Sequence, residues 1–453
     1  MVYKKFFEKN ILLFFLILFS GSIAYSIIIP MISIIEIYYN INYLGLIEAF
    51  FIFISTMSLF LWGYLSDKYS RKRILLIGFA IVIFSNIGMI FADKIEIYIL
   101  LRVFMGIGIG TISPVSYSLA SDFIDINERS TILGGSSVAT ISGSGIGIIL
   151  GGVFGDINWQ IPFLIIALFF LFLLILFLSI REPIRGEKEP ELIELASKNQ
   201  LNDKKMPLIN IKTFYSLFKK KTNLSMMTQG ILALIPSAIL NYYLINYLSD
   251  TRYGGIGLPL IWATILALSS ASGRIFGFLI WGYLGDKLQQ KYQTTKAKAL
   301  LVTLTMGLQV PMISFSFFFA LPVYEKGNIN VLLFILTSSS FLIFMSFFFL
   351  GTLLGGASGP NRRSLSFDIN EPEARGSISS IFTFADQIGA SIGLFIASFL
   401  IPTLGYPQTF IAIVVIGYGL AMVLWIPSIF YVENDAKILR KILKDRAEQL
   451  KNE

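Results

Sequence analysis

The sequence predicts an all-α membrane protein with twelve transmembrane helices in two six-helix, pseudo-symmetric halves. Three observations predict it. Of 453 residues, 55% are hydrophobic and only 14% charged, against roughly 25% charged in soluble domains. Apolar runs long enough to cross a bilayer, about 20 residues each, occur twelve times: 11–35, 44–66, 73–92, 97–121, 130–153, 159–180, 224–249, 258–285, 297–320, 330–359, 376–401 and 407–432. The chain also repeats itself. The heptapeptide Trp62 to Lys68 returns 219 positions later as Trp281 to Lys287 with six of its seven residues unchanged, and each copy closes an apolar run. Pro114, Ser118, Leu119, Asp122 and Arg129 recur 246 positions on as Pro360, Ser364, Leu365, Asp368 and Arg375.

These elements order the chain. Residues 1–180 form an N-terminal six-helix half, 181–223 a polar linker, 224–432 a C-terminal six-helix half and 433–453 a tail. The first apolar run follows Lys4, Lys5 and Lys9. It is too long for the core of a signal peptide and no small-residue cleavage site closes it, so it reads as a retained first helix. The linker holds Pro183, Pro190 and Pro207, and Ile211 to Phe218 is a candidate for a short amphipathic helix on the membrane surface.

Basic residues orient such a chain. With the N-terminus cytoplasmic, 31 of the 36 Lys and Arg residues lie on that side. The outer loops hold only Lys94, Arg252 and Lys326, while Arg102 and Arg274 fall inside spans. The net charge of +8 is therefore a topology signal and not a nucleic-acid patch. Both termini are expected in the cytoplasm, with the protein in the plasma membrane.

Several chemistries are excluded. There is no Cys and no His, which removes disulfides, thiol chemistry and Cys/His metal sites. A proton, if one moves, must ride on Asp, Glu, Tyr, Lys or water. No glycine-rich phosphate loop with Lys-Ser/Thr is present, so ATP is not the driver. Gly143-Ser144-Gly145 lies inside an apolar helix and not after a strand, so it is no dinucleotide site. No enzyme, cofactor or metal is expected. The expected partners are a small-molecule substrate, a coupling proton and membrane lipid, with the chain acting as a monomer. Internal repeats in such a protein place a site at mid-membrane between the halves, as in secondary transporters.

Gly63 to Arg73, with Asp67, Lys68, Arg71 and Lys72, resembles the signature loop Gly-x-Leu-x-Asp-Arg-x-Gly-Arg-Lys/Arg of the major facilitator superfamily, with Lys68 for Arg and Ser70 for Gly. The second copy keeps Gly282 and Asp286 but has Gln290 where Arg71 stands, which makes the first loop the stronger electrostatic latch. Arg102 with Gly106 resembles the family's Arg-x-x-x-Gly pattern of helix 4. Gly134, Gly143, Gly147, Gly151 and Gly152 follow the antiporter-motif spacing, with Ile148 for its Pro. Such small residues let helices approach closely, and packing is the preferred role. Glu182 to Glu187 resembles the Glu-Pro-x-Arg-Gly stretch of spinster-like lipid transporters. That branch's helix-4 Glu falls at Ile109, and its helix-1 Asp-Arg pair has no counterpart between Leu13 and Ile35.

The charges divide by position. Asp67, Arg71, Asp122 and Arg129, with their repeats Asp286, Asp368 and Arg375, fall at cytoplasmic helix ends and read as an inner gate. The resemblance implies that Asp67 faces the start of helix 11 near Gly376, where the helix dipole favours an anion. Ionisable residues inside a span cost about 3 kcal/mol or more and are functional candidates by default. Arg274 and Asp386 lie about 18 Å and 16 Å along their helices from the nearest turn, near mid-depth. Arg274 suits an anion, since guanidinium keeps its proton. Asp386 suits a coupling proton; in the alternative, each satisfies the other or a backbone carbonyl and only fixes packing. Arg102, toward the outer end of its helix, reads as a snorkelling structural residue. The family lines its cavity with helices 1, 4, 7 and 10, which here offer Tyr25, Ser113, Gln229, Asn241 and Arg362.

The sequence thus supports a secondary active transporter moving a small organic anion or amphiphile by alternating access with proton coupling. The alternatives are an uncoupled facilitator, a lysolipid-like transporter, or a non-transporting receptor or scaffold.

Overall fold

In lipid a backbone must satisfy its own hydrogen bonds, so an apolar chain of this length has only helices or a closed barrel available. The computed structural model describes residues 9–123, 129–179, 182, 220–325, 330–370 and 375–452; inside helices, the side chains of 67, 121–122, 129–135, 137, 375–377 and 443–452 lie outside that description. Among the described residues, twelve helices are long and apolar enough to cross a membrane. They are α1 (Lys9–Tyr39), α2 (Leu44–Ser66), α3 (Arg71–Ile90), α4 (Ile95–Ala120), α5 (Val138–Ile157), α6 (Ile161–Leu178), α7 (Lys221–Ser249), α8 (Leu260–Tyr292), α9 (Lys296–Phe318), α10 (Ser339–Ile369), α11 (Ile378–Leu404) and α12 (Tyr406–Ile442). Each matches one predicted span. The main departures are α10 and α12, each of which runs ten residues past its predicted end; in α10 the polar stretch Asn361 to Asp368 stays helical. The surface helix expected at 211–218 lies outside the described residues.

The chain divides into two compact units, Met1–Pro207 and Leu208–Glu453, with α1–α6 in one and α7–α12 in the other. The duplication is visible within each unit as matched contacts. Both α4 and α10 break, at Gly110 and at Gly356, which are 246 positions apart. Near each break a carbonyl takes an indole hydrogen bond from the repeated heptapeptide: Trp62 Nε1 donates to Ile107 O at 2.8 Å, and Trp281 Nε1 donates to Leu353 O at 2.9 Å. The tryptophan recurs with the break, and each indole N–H finds its acceptor on the backbone beside it.

The glycine stripe has the same logic. A methyl group added at Gly143, Gly147 or Gly151 of α5 would collide with the carbonyl oxygens of Phe19, Ile23 or Ile27 on α1. Gly389 and Gly393 of α11, again 246 positions on, press the same way against Ile231 O and Ile235 O of α7. Ser26 Oγ adds a hydrogen bond to Ser144 O at 2.9 Å. These glycines therefore set close helix packing, as van der Waals contact must in a membrane.

Candidate functional site

In the C-terminal unit, α7, α10 and α11 meet around two charges. Arg362 of α10 forms an ion pair with Asp386 of α11 through Nη2 and Oδ2. The alternative in which Asp386 and Arg274 neutralise each other is not what is found: Asp386 is paired with Arg362. The reason is the extra helical length of α10, which carries Arg362 into the bundle alongside α11. Arg362 Nη1 also donates to Gln229 Oε1 at 3.3 Å, and its guanidinium lies 5.3 Å from the Phe382 ring centroid. Gln229 is buried and its amide reaches Met306 Sδ at 3.8 Å. Gly230 makes room for the pair, because a methyl there would strike both Arg362 Nη1 and Asp386 Oδ1. Asp386 Oδ1 is shielded and accepts no hydrogen bond.

Arg274 of α8 stands apart. Its Nη2 lies 3.5 Å from Ser237 Oγ, at the outer limit of a hydrogen bond. Ser237 Oγ is 2.9 Å from the Tyr418 hydroxyl. Among the described residues no carboxylate reaches Arg274, whereas Arg102, Arg252 and Arg362 each have one.

In the N-terminal unit, Arg102 does not snorkel. It is 1% exposed and bound at both ends of its guanidinium by Glu48 of α2, with Nε to Oε1 at 2.9 Å and Nη2 to Oε2. The guanidinium lies 4.1 Å from the Phe51 ring. Glu48, 0% exposed, is the residue the sequence reading passed over. Its signal was a lone carboxylate inside the apolar run 44–66. A buried pair of this kind holds because each charge is met by a fork of hydrogen bonds. Tyr25 packs its ring 5.5 Å from Phe51, while Ser113 and Asn241 are exposed.

At the loops, Gly63 packs on Pro114 and Gly282 on Pro360. Arg71 is buried and its Nη1 donates to Ser118 O at 3.0 Å. Glu182 accepts from the Arg71 backbone N–H at 2.7 Å and from Ser70 Oγ, closing the start of α3. The second loop holds a cation that the sequence reading missed. Lys298 Nζ lies 2.6 Å from Asp286 Oδ1 and donates to Ser364 Oγ at 2.7 Å. Ser364 is the repeat of Ser118, so Lys298 of α9 and Arg71 of α3 reach equivalent serines of the two repeats. Gln290 is exposed, and the loss of Arg at that position is offset from eight residues further along. The second loop therefore has a cationic partner for Asp286 that its own motif lacks. Asp368 accepts from Gln289 Nε2 at 3.3 Å. The side chains of Asp67, Asp122, Arg129 and Arg375 lie outside the described residues.

Two duplicated six-helix units with isolated charges inside their spans are the build of a membrane transporter. The family model described as Major Facilitator Superfamily matches residues 14–325, and the chain belongs to that superfamily. Protein spinster homolog 1 of Mus musculus is 32% identical over 163 residues, 34% of this chain and 31% of that protein. Its Homo sapiens counterpart is also 32% identical over 163 residues, with the same shares. The matched segment is thus about a third of the length of these curated relatives. The solved structure of a bacterial homolog to the human lysosomal transporter spinster, in an inward-facing and unoccupied conformation, superposes with a TM-score of 0.67 at 15% identity, covering 95% of this chain and 97% of that one. A D-xylose-proton symporter gives 0.65 at 14% identity, covering 91% and 96%. At those identities the likeness is one of fold.

Proposed function

We propose that this transporter moves a small organic anion or amphiphile across the plasma membrane by alternating access, driven by a proton gradient, with both termini cytoplasmic. The observation that carries the reading is the Arg362–Asp386 pair. One carboxylate oxygen of Asp386 is held by Arg362 and the other accepts nothing. A proton taken on Asp386 removes the negative charge that holds Arg362 in place. The released guanidinium then competes for an anionic cargo group, which links proton binding to cargo binding within one unit. Arg274 supplies the standing positive charge. The loops after α2 and α8 act as paired latches through Arg71 and Lys298.

A lysolipid-like cargo is the second reading, favoured by the spinster relatives and by the Glu182 to Glu187 stretch. Proteoliposomes subjected to a pH jump test the proposal. Accumulation that follows the imposed gradient supports coupling. Equilibration alone would leave an uncoupled facilitator, and no flux with ligand binding retained would leave a receptor.

A further inference from the structure

We infer that Arg274, Ser237 and Tyr418 form an oxyanion subsite in the C-terminal unit, which takes a cargo group carrying one negative charge. The inference deepens the transport reading above and names the cargo chemistry. Two backbone irregularities meet at this point. Pro236 interrupts α7 and has no N–H for the carbonyl of Leu232. Residues Val414–Tyr418 of α12 form a π-helical turn, a feature that recurs at functional positions. The two fit together, since a methyl on Gly417 would fall 2.8 Å from Pro236 Cδ. The next residue on each helix carries a hydroxyl, Ser237 and Tyr418, and the two are bonded to one another and buried. The guanidinium of Arg274 adjoins them.

The donors here outnumber the acceptors. Guanidinium has five N–H groups and accepts nothing; one of the five reaches Ser237 at 3.5 Å. Whichever hydroxyl donates within the Ser237–Tyr418 bond, the other hydrogen has no acceptor among the described residues. Charge points the same way. Arg362 and Asp386 offset each other, as do Lys298 and Asp286, while among the described residues no carboxylate reaches Arg274. A carboxylate or a phosphodiester supplies the single charge and the acceptor lone pairs that this set lacks.

The test uses the purified full-length protein in lipid nanodiscs and follows its thermal unfolding. The probes are octanoate against octanol, and dibutyl phosphate against neutral tributyl phosphate. A ligand that binds only the folded state raises the midpoint as its concentration rises. At least one anion is expected to do so where its neutral partner does not, and which one succeeds distinguishes carboxylate from phosphodiester. Arg274→Gln is expected to abolish the effect, and Tyr418→Phe to weaken binding about tenfold, as expected for loss of one hydrogen bond to a charged group. Equal shifts for anion and neutral partner, or an anion effect unchanged in Arg274→Gln, would overturn the subsite. A second measurement needs no ligand. Arg274→Gln should unfold at or above the wild-type midpoint, because it removes an uncompensated cation, while Arg362→Gln should unfold below it. A drop in Arg274→Gln as large as that in Arg362→Gln would make Arg274 a structural counter-ion and overturn the inference. Failure here with gradient-driven flux intact would leave the transport reading standing; anion binding at Arg274 with no flux would do the reverse.

Discussion

Lys298 holds Asp286 at 2.6 Å while its own side chain is only 4% exposed, against 64% for the aspartate. The pair is therefore lopsided. Its cation is buried and its anion faces out. Asp286→Asn strands a buried ammonium on Ser364 alone, which should cost about 1–3 kcal/mol. Lys298→Gln leaves an exposed carboxylate that water can solvate and should cost less. Chemical or thermal unfolding of both variants in one detergent checks the order, and a larger loss for Lys298→Gln would contradict it.

Transport should respond to the two loops alike. Because Arg71 and Lys298 reach the repeat-equivalent serines Ser118 and Ser364, Asp67→Asn and Asp286→Asn are expected to lower initial uptake by comparable factors. Vesicles matched for protein content measure this. A loss confined to Asp67→Asn would return the latch to the first loop alone.

The Glu48–Arg102 pair predicts the largest single-site loss in the N-terminal unit. Both side chains are essentially inaccessible, so Arg102→Gln leaves a buried carboxylate with no cation, a change worth about 3–5 kcal/mol. The double variant Glu48→Gln with Arg102→Gln should recover much of that loss. A double-mutant cycle on unfolding free energies tests it; strictly additive losses would show that the two groups do not depend on each other.

Gly230→Ala should act through charge and not through packing alone. Its methyl strikes both members of the Arg362–Asp386 pair. Overpacking costs about 1–3 kcal/mol, and the separated pair should impair gradient-driven uptake more than exchange between equal concentrations. Equal impairment of both would point to a general folding defect.

Much of this architecture was legible in the sequence because hydrophobic length and repeat spacing are local signals. The twelve spans, the repeated Trp62 and Trp281, and the glycine spacing of α5 all express contacts fixed by position along a helix. Charge partners were not legible, because they depend on which helices touch. Asp386 and Arg274 share a similar depth, and depth alone suggested pairing; the register of α10 gave the carboxylate to Arg362. Glu48 escaped notice because one carboxylate early in an apolar run looks like a boundary residue until α4 brings Arg102 against it. Lys298 was not legible because the loop motif carries no cation at Gln290, and the partner of Asp286 stands on the next helix.

The measurement that bears most directly on the central claim compares wild type and Asp386→Asn in proteoliposomes loaded with a pH-sensitive dye. An oxyanion probe that binds the wild-type protein is added outside, and lumenal pH is recorded alongside exchange of the labelled probe. Asparagine mimics the protonated carboxyl and has no proton to release. Asp386→Asn is expected to retain probe exchange but to show none of the lumenal pH change that accompanies probe movement in the wild type. A wild-type pH change in Asp386→Asn would contradict it, and Asp386 would then be a residue that only fixes α11 against α10.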